Sequence, residues 1–152
     1  TGVKRRFEFV YEGNGKVYID DYAHHPKEID AFMAGLRAIY PNKRIKVIFQ
    51  PHLYSRTRDF AEEFAESLSK ADELVLLDIY PAREKPLPGI TSDVILQQVT
   101  CPVKELMHKD EVVGNLLKNG DFDVLATVGA GDIDTLVKPI RNFLENNLYG
   151  LE

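Results

Sequence analysis

Short apolar runs alternate along this chain with longer stretches in which apolar residues recur every third or fourth position. Arg6 to Tyr11 and Lys16 to Tyr22 are rich in aromatic and β-branched residues, and Gly13-Asn14-Gly15 between them is a turn signal that closes a hairpin. Pro26 suits the first turn of a helix whose inner face is Ile29, Phe32, Met33, Leu36 and Ile39 and which ends at Pro41-Asn42. Ile45 to Phe49 reads as a buried strand. A helix from about Arg58 to Lys70 follows, with Phe60, Phe64 and Leu68 inward and Glu62, Glu63 and Glu66 outward. Glu73 to Ile79 is apolar on both faces, as a central parallel strand should be. Tyr80 to Gly89 holds three prolines and reads as an extended loop. Ser92 can cap a helix over Asp93 to Val99, and Val103 to Met107 reads as a weak strand. Lys109 to Lys118 is a helix with Val112, Val113, Leu116 and Leu117 inward, closed by Asn119-Gly120. Val124 to Val128 is another buried strand, ending in Gly129-Ala130-Gly131-Asp132. A final helix turns Ile133, Leu136, Val137, Ile140, Phe143 and Leu144 inward.

After the hairpin, helices and strands alternate. That order predicts an α/β sandwich of three layers, with a mainly parallel sheet of about six strands, an antiparallel N-terminal edge and helices on both faces. The 152 residues suit one domain, 1–152, with a real core.

Composition narrows the functional classes. A net charge of −5 argues against a nucleic-acid-binding surface. No apolar stretch approaches the roughly 20 residues of a membrane helix, and the start lacks a signal-peptide core. Cys101 is alone, so no internal disulfide forms; it reads as a buried small hydrophobe, consistent with a reducing cytoplasm. The opening TGVKRRFEFVYEG, without Met, reads as a piece of a longer protein.

The chemistry gathers where strands run out. Three of the four histidines lie in DDYAHHP (Asp20 to Pro26) and QPHLYSRT (Gln50 to Thr57), and strand ends of a parallel sheet are where α/β proteins build sites. Asp78-Ile79-Tyr80 and the Gly129–Asp132 turn converge on the same edge. The glycine-rich turn offers backbone N–H groups to a carboxylate or phosphate, or is a plain tight turn. His24, His25 and His52 lack the spacing and partners of a dedicated metal site, so none is expected. No serine lies on a nucleophile elbow, and Ser55 reads as a helix cap. No phosphate-cradling glycine motif occurs. Arg5 and Arg6 read as one exposed and one partly buried edge-strand arginine. Arg56 and Arg58 flank a helix start, where the macrodipole disfavours cations. They suit a nearby anion, or a surface pairing with the acidic helix that follows.

Taken in order, RRFE, DDYAHHPKEI, VIFQPHLYSRTRDF, LLDIYPAREKPLPGI and TVGAGDI resemble the C-terminal, Rossmann-like domain of the Mur ligases over essentially the whole chain. The pairing of DDYAHHP with QPHLYSRT resembles the alanine-adding branch. The resemblance implies ATP-driven joining of L-alanine to UDP-N-acetylmuramate through an acyl phosphate, in cytoplasmic peptidoglycan precursor synthesis. It implies ATP and Mg²⁺ bound mainly by a central domain, an N-terminal domain for the UDP-sugar, and no activity from this domain alone. By position it implies ATP contacts at Arg6 and Asp21. It implies alanine contacts at Tyr22, His24, His52, Arg56, Gly129 and Gly131, with His24 or His52 orienting the amine or taking its proton. Many members carry arginine where this chain has Leu53, so the carboxylate would rest on Arg56, with Arg58 or backbone N–H groups compensating. Two other readings stay open: a ligase of the same family that recycles a tripeptide, and a free-standing, non-catalytic binding module.

Overall fold

The computed structural model describes residues 5–146, without the side chain of Leu117. Six strands form one sheet: β1 (Glu8–Gly13), β2 (Lys16–Asp21), β3 (Ile45–Phe49), β4 (Glu73–Leu76), β5 (Val103–Leu106) and β6 (Val124–Val128), in the order β1-β2-β6-β3-β4-β5. β1 and β2 are antiparallel and every other pairing is parallel. The hairpin turns at Asn14 and Gly15, both at positive φ, which matches the right-handed twist of its strands. The helices are α1 (Pro26–Ile39), α2 (Tyr54–Asp59), α3 (Ala61–Leu68), α4 (Asp93–Leu96), α5 (Val112–Lys118) and α6 (Val137–Glu145), with 3₁₀ turns at Lys109–Glu111 and Asp132–Leu136.

Neighbouring residues on each inner strand enter opposite cores. Ile19, Val47, Leu74 and Ala126 pack with Phe32, Leu36, Phe64 and Ile95 of α1, α3 and α4. Tyr18, Ile48, Val75 and Leu125 pack with Leu116, Ile140 and Phe143 of α5 and α6. Both faces are dry, which is why these strands read as continuous apolar runs. Buried polar residues interrupt these runs and are paired: Lys46, wholly buried in β3, bonds Glu73 at 3.2 Å and Asn115 at 2.7 Å, and Thr127 in β6 donates to Asp20 in β2 at 2.6 Å. β6 returns between β2 and β3, and the helices after β2 and β6 lie on opposite faces. The crevice this opens at the carboxyl ends is the fold's natural ligand position.

Several local expectations change. The helix expected over Arg58–Lys70 is two helices broken at Phe60, whose ψ of 22° leaves the helical range; Phe60 faces solvent rather than the core. Ile39, the last residue of α1, is also exposed, because the chain leaves the helix at Tyr40. β4 stops at Leu76. Leu77 still donates to Phe49 O at 3.0 Å, and Tyr80 forms an isolated bridge with His52. The helix after Ser92 is one turn, and the Ser92 hydroxyl donates to Leu77 O instead of capping it. Ser55 lies inside α2 and is not its cap. Cys101 is buried as expected.

Candidate active site

The site grows from three strand ends. After β2, Asp21 turns the chain with its own carboxylate: Oδ1 accepts the Phe7 N–H at 2.5 Å and Oδ2 the Ala23 N–H at 2.9 Å. Burial pushes the Asp21 carboxyl up, against these bonds. His24 and His25 then lead into α1, where Glu28 accepts both their backbone N–H groups at 3.1 Å. After β3, Gln50-Pro51-His52 leads into α2, which carries Arg56.

Four rings run across the crevice. Tyr22 meets His24 edge-on at 5.3 Å, His24 meets His52 edge-on at 5.7 Å, and His52 stacks on Tyr80 at 12° and 5.6 Å. Arg56 donates to His52 Nδ1 at 3.0 Å and has no ion-pair partner among the described residues. Burial, then Arg56, holds His52 below the usual imidazole range; burial and Arg56 also lower His25. Arg56 thus sets a cation beside this row of rings, with Glu28 next to His24 and Glu84 at the start of α2.

Arg6 and Asp21 share a neighbouring cleft of about 320 Å³, lined also by Phe7, Tyr22, Glu28, Ala31 and Phe32. Its aromatic wall suits a flat apolar ring, and its lining carries one cation, Arg6, and two carboxylates, Asp21 and Glu28. Tyr22 belongs to both the cleft and the ring row, so the two regions are contiguous.

A side chain at either Gly129 or Gly131 would be crowded. The Gly129 N–H donates to Asp21 O at 3.1 Å, and its φ of 150° lies where side chains are strained. A Cβ on Gly131 would lie 2.5 Å from both Gln50 Oε1 and Tyr80 Cγ. Gly131 thus seats Tyr80, whose ring backs His52. Arg58 pairs with Asp59 at the surface and turns no charge to the site. Among the described residues no group of three or more His, Cys, Asp or Glu could hold a metal ion.

One arginine of the Arg5–Arg6 pair is exposed and one partly buried, as expected, and the buried one is Arg5: it bonds Asp20 Oδ2 at 2.6 Å and Gly129 O at 2.8 Å. Two contributors escaped the sequence reading. Glu28 fixes the His24–His25 turn. Glu84 accepts from the hydroxyl and N–H of Ser55. Only Glu28 left a local signal, as an acid in the third position of a helix.

Comparison with known proteins assigns the family. The chain belongs to the Mur ligases: the model described as "Mur ligase, glutamate ligase domain" matches residues 5–131. It is 50% identical over 98% of its length to a UDP-N-acetylmuramate–L-alanine ligase of Cytophaga hutchinsonii, covering 32% of that protein. It is 54% identical over 95% of its length to the ligase of the same name from Porphyromonas gingivalis, again covering 32%. The UDP-N-acetylmuramate–alanine ligase structure from Thermotoga maritima superposes with a TM-score of 0.74 at 25% identity, over 94% of this chain and 30% of that one. A murein peptide ligase from Psychrobacter arcticus shares the fold, with a TM-score of 0.74 at 18% identity over 94% of this chain and 30% of that one. The chain spans about a third of the length of the curated relatives it matches.

Proposed function

We propose that this chain is the amino-acid-delivering, nucleotide-closing domain of a ligase that joins L-alanine to UDP-N-acetylmuramate at the expense of ATP. The single observation that carries the reading is Arg56: a cation bonded to the His52 imidazole, with no carboxylate at ion-pair distance among the described residues. A guanidinium so held takes a carboxylate in a directional, charge-assisted pair. The names of the relatives supply the substrate class.

In this reading ATP, bound chiefly by a central domain with Mg²⁺, activates the sugar's carboxylate as an acyl phosphate. This chain's residues do the rest. Arg6 reaches the phosphates and Asp21, whose oxygens keep a second acceptor direction, takes the ribose. Phe7 and Phe32 offer an apolar wall beside them. Arg56 fixes the alanine carboxylate, while Tyr22, His24 and His52 surround its amine. Gly129 and Gly131 act indirectly, by seating Tyr80 and Gln50. Holding a small amine against an activated acyl group is mainly an entropic task, which a closing domain performs. The reading places the Mg²⁺ ligands chiefly in the rest of the enzyme. A UDP-sugar and ATP as substrates make the site of action cytoplasmic.

The test is phosphate release by the full-length protein with ATP, Mg²⁺ and UDP-N-acetylmuramate, offered alanine, glycine, serine or the tripeptide in turn. Strong preference for L-alanine supports the reading. Preference for the tripeptide moves the chain to the recycling ligases, and no turnover with any acceptor leaves a binding module.

A further inference from the structure

Two imidazoles face the amino acid's position, and hydrogen-bond chemistry separates them. A guanidinium only donates, so His52 Nδ1, 3.0 Å from Arg56, holds the lone pair and the ring proton sits on Nε2. A carbonyl only accepts, so His24 Nδ1, 3.0 Å from Tyr22 O, carries the proton and Nε2 holds the lone pair. Rings 5.7 Å apart thus hold opposite tautomers.

We propose that His24, through Nε2, is the general base of amide formation, and that His52 is a fixed N–H donor whose other nitrogen positions Arg56. The proposal rests on the ligase reading and assigns roles within that site. As the neutral amine attacks the acyl carbon, the new C–N bond forms and the nitrogen's surplus proton passes to His24 Nε2. Phosphate leaves with the electron pair of the broken C–O bond. The imidazolium so formed donates through Nδ1 to Tyr22 O, with the Glu28 carboxylate 3.5 Å away. The groups around His24 are Tyr22, His25, Glu28 and His52, the last bonded to Arg56. Glu28 is the carboxylate nearest the imidazolium that forms at His24. His52 lies near both Arg56 and Glu84, and its nitrogen with the lone pair is already taken by Arg56.

Two measurements on the full-length enzyme test this. Nitrogen-15 spectra of the histidine rings should give the Nδ1–H tautomer for His24 and the Nε2–H tautomer for His52; an Nε2–H tautomer at His24 would overturn the assignment. His24→Gln should lower kcat about 100-fold, remove the acid limb of the pH–rate profile and leave the ATP KM within about two-fold. His52→Gln should keep that limb while raising the alanine KM. An acid limb that survives His24→Gln and vanishes in His52→Gln overturns the proposal. A wild-type enzyme with no alanine-dependent phosphate release would overturn the ligase reading itself, whatever the tautomers.

Discussion

Glu84, in the proline-rich loop after β4, accepts both the hydroxyl and the backbone N–H of Ser55, in the first turn of α2. The helix has no side-chain cap of its own: its N-cap residue is Leu53, whose side chain has no acceptor and which sits at a φ of 75°. A carboxylate from a distant loop meets the helix's positive end, and its bonds to Ser55 draw Glu84 below the usual carboxylate range. Arg56 is the next residue, so this contact steadies the turn of backbone that carries it.

Ser55→Ala should therefore raise the acceptor's KM by about five-fold, the worth of one hydrogen bond of about 1 kcal/mol, with the ATP KM unchanged. Steady-state kinetics with each substrate varied in turn would measure it. An equal rise for ATP would detach the Ser55–Glu84 contact from Arg56.

Arg5→Ala should destabilise the domain by about 3 kcal/mol, because it strands the buried Asp20 carboxylate without its cation, leaving the Thr127 hydroxyl as its side-chain donor among the described residues. Denaturant unfolding of the full-length protein should resolve the loss, and an apolar replacement of both residues should recover most of it. A single-variant loss no larger than that of a surface substitution would mean that water reaches Asp20.

Gly131→Ala should cost about 1–3 kcal/mol, since its Cβ would have to displace Tyr80 or Gln50. Tyr80 backs the His52 ring, so the variant should also weaken alanine binding. Unchanged stability and KM would return the glycine to the role of a plain turn residue.

His52 gives stability a definite pH dependence. Its folded pKa lies below the unfolded value, so in the window between them the unfolded chain holds a proton that the folded one lacks. Its contribution is complete above the ordinary imidazole pKa of about 6.5 and is lost as pH falls through the folded value. Tm measured between about pH 5 and 7.5 should fall more steeply on the acid side in the wild type than in His52→Gln. Equal slopes would contradict the depressed pKa.

Much of this architecture is legible in the chain because burial on both sides leaves no ambiguity of face. Ile45–Phe49 and Val124–Val128 read as strands for that reason, and Pro26 and Pro41 bracket α1. The Asp, Tyr, His and Arg of the strand ends are legible too, since such residues cluster there without serving the core. What stays hidden is set by distance and direction. Nothing local says that Arg5 rather than Arg6 turns inward, because that choice depends on Asp20 and Gly129. Nothing marks Glu84 as the cap of a helix thirty residues earlier in the chain. Phe60 has the helical spacing of a core residue, yet a break in the backbone turns it out. Gly129 and Gly131 suggest an anion cradle, while their geometry answers to Gln50 and Tyr80.

Arg56, proposed to receive the amino acid's carboxylate, is probed by Arg56→Ala in the full-length enzyme. Loss of one charge-assisted pair should cost about 2–4 kcal/mol in kcat/KM for L-alanine, carried by the alanine KM, with the ATP KM little changed. An equal loss for both substrates, or none for alanine, would contradict it.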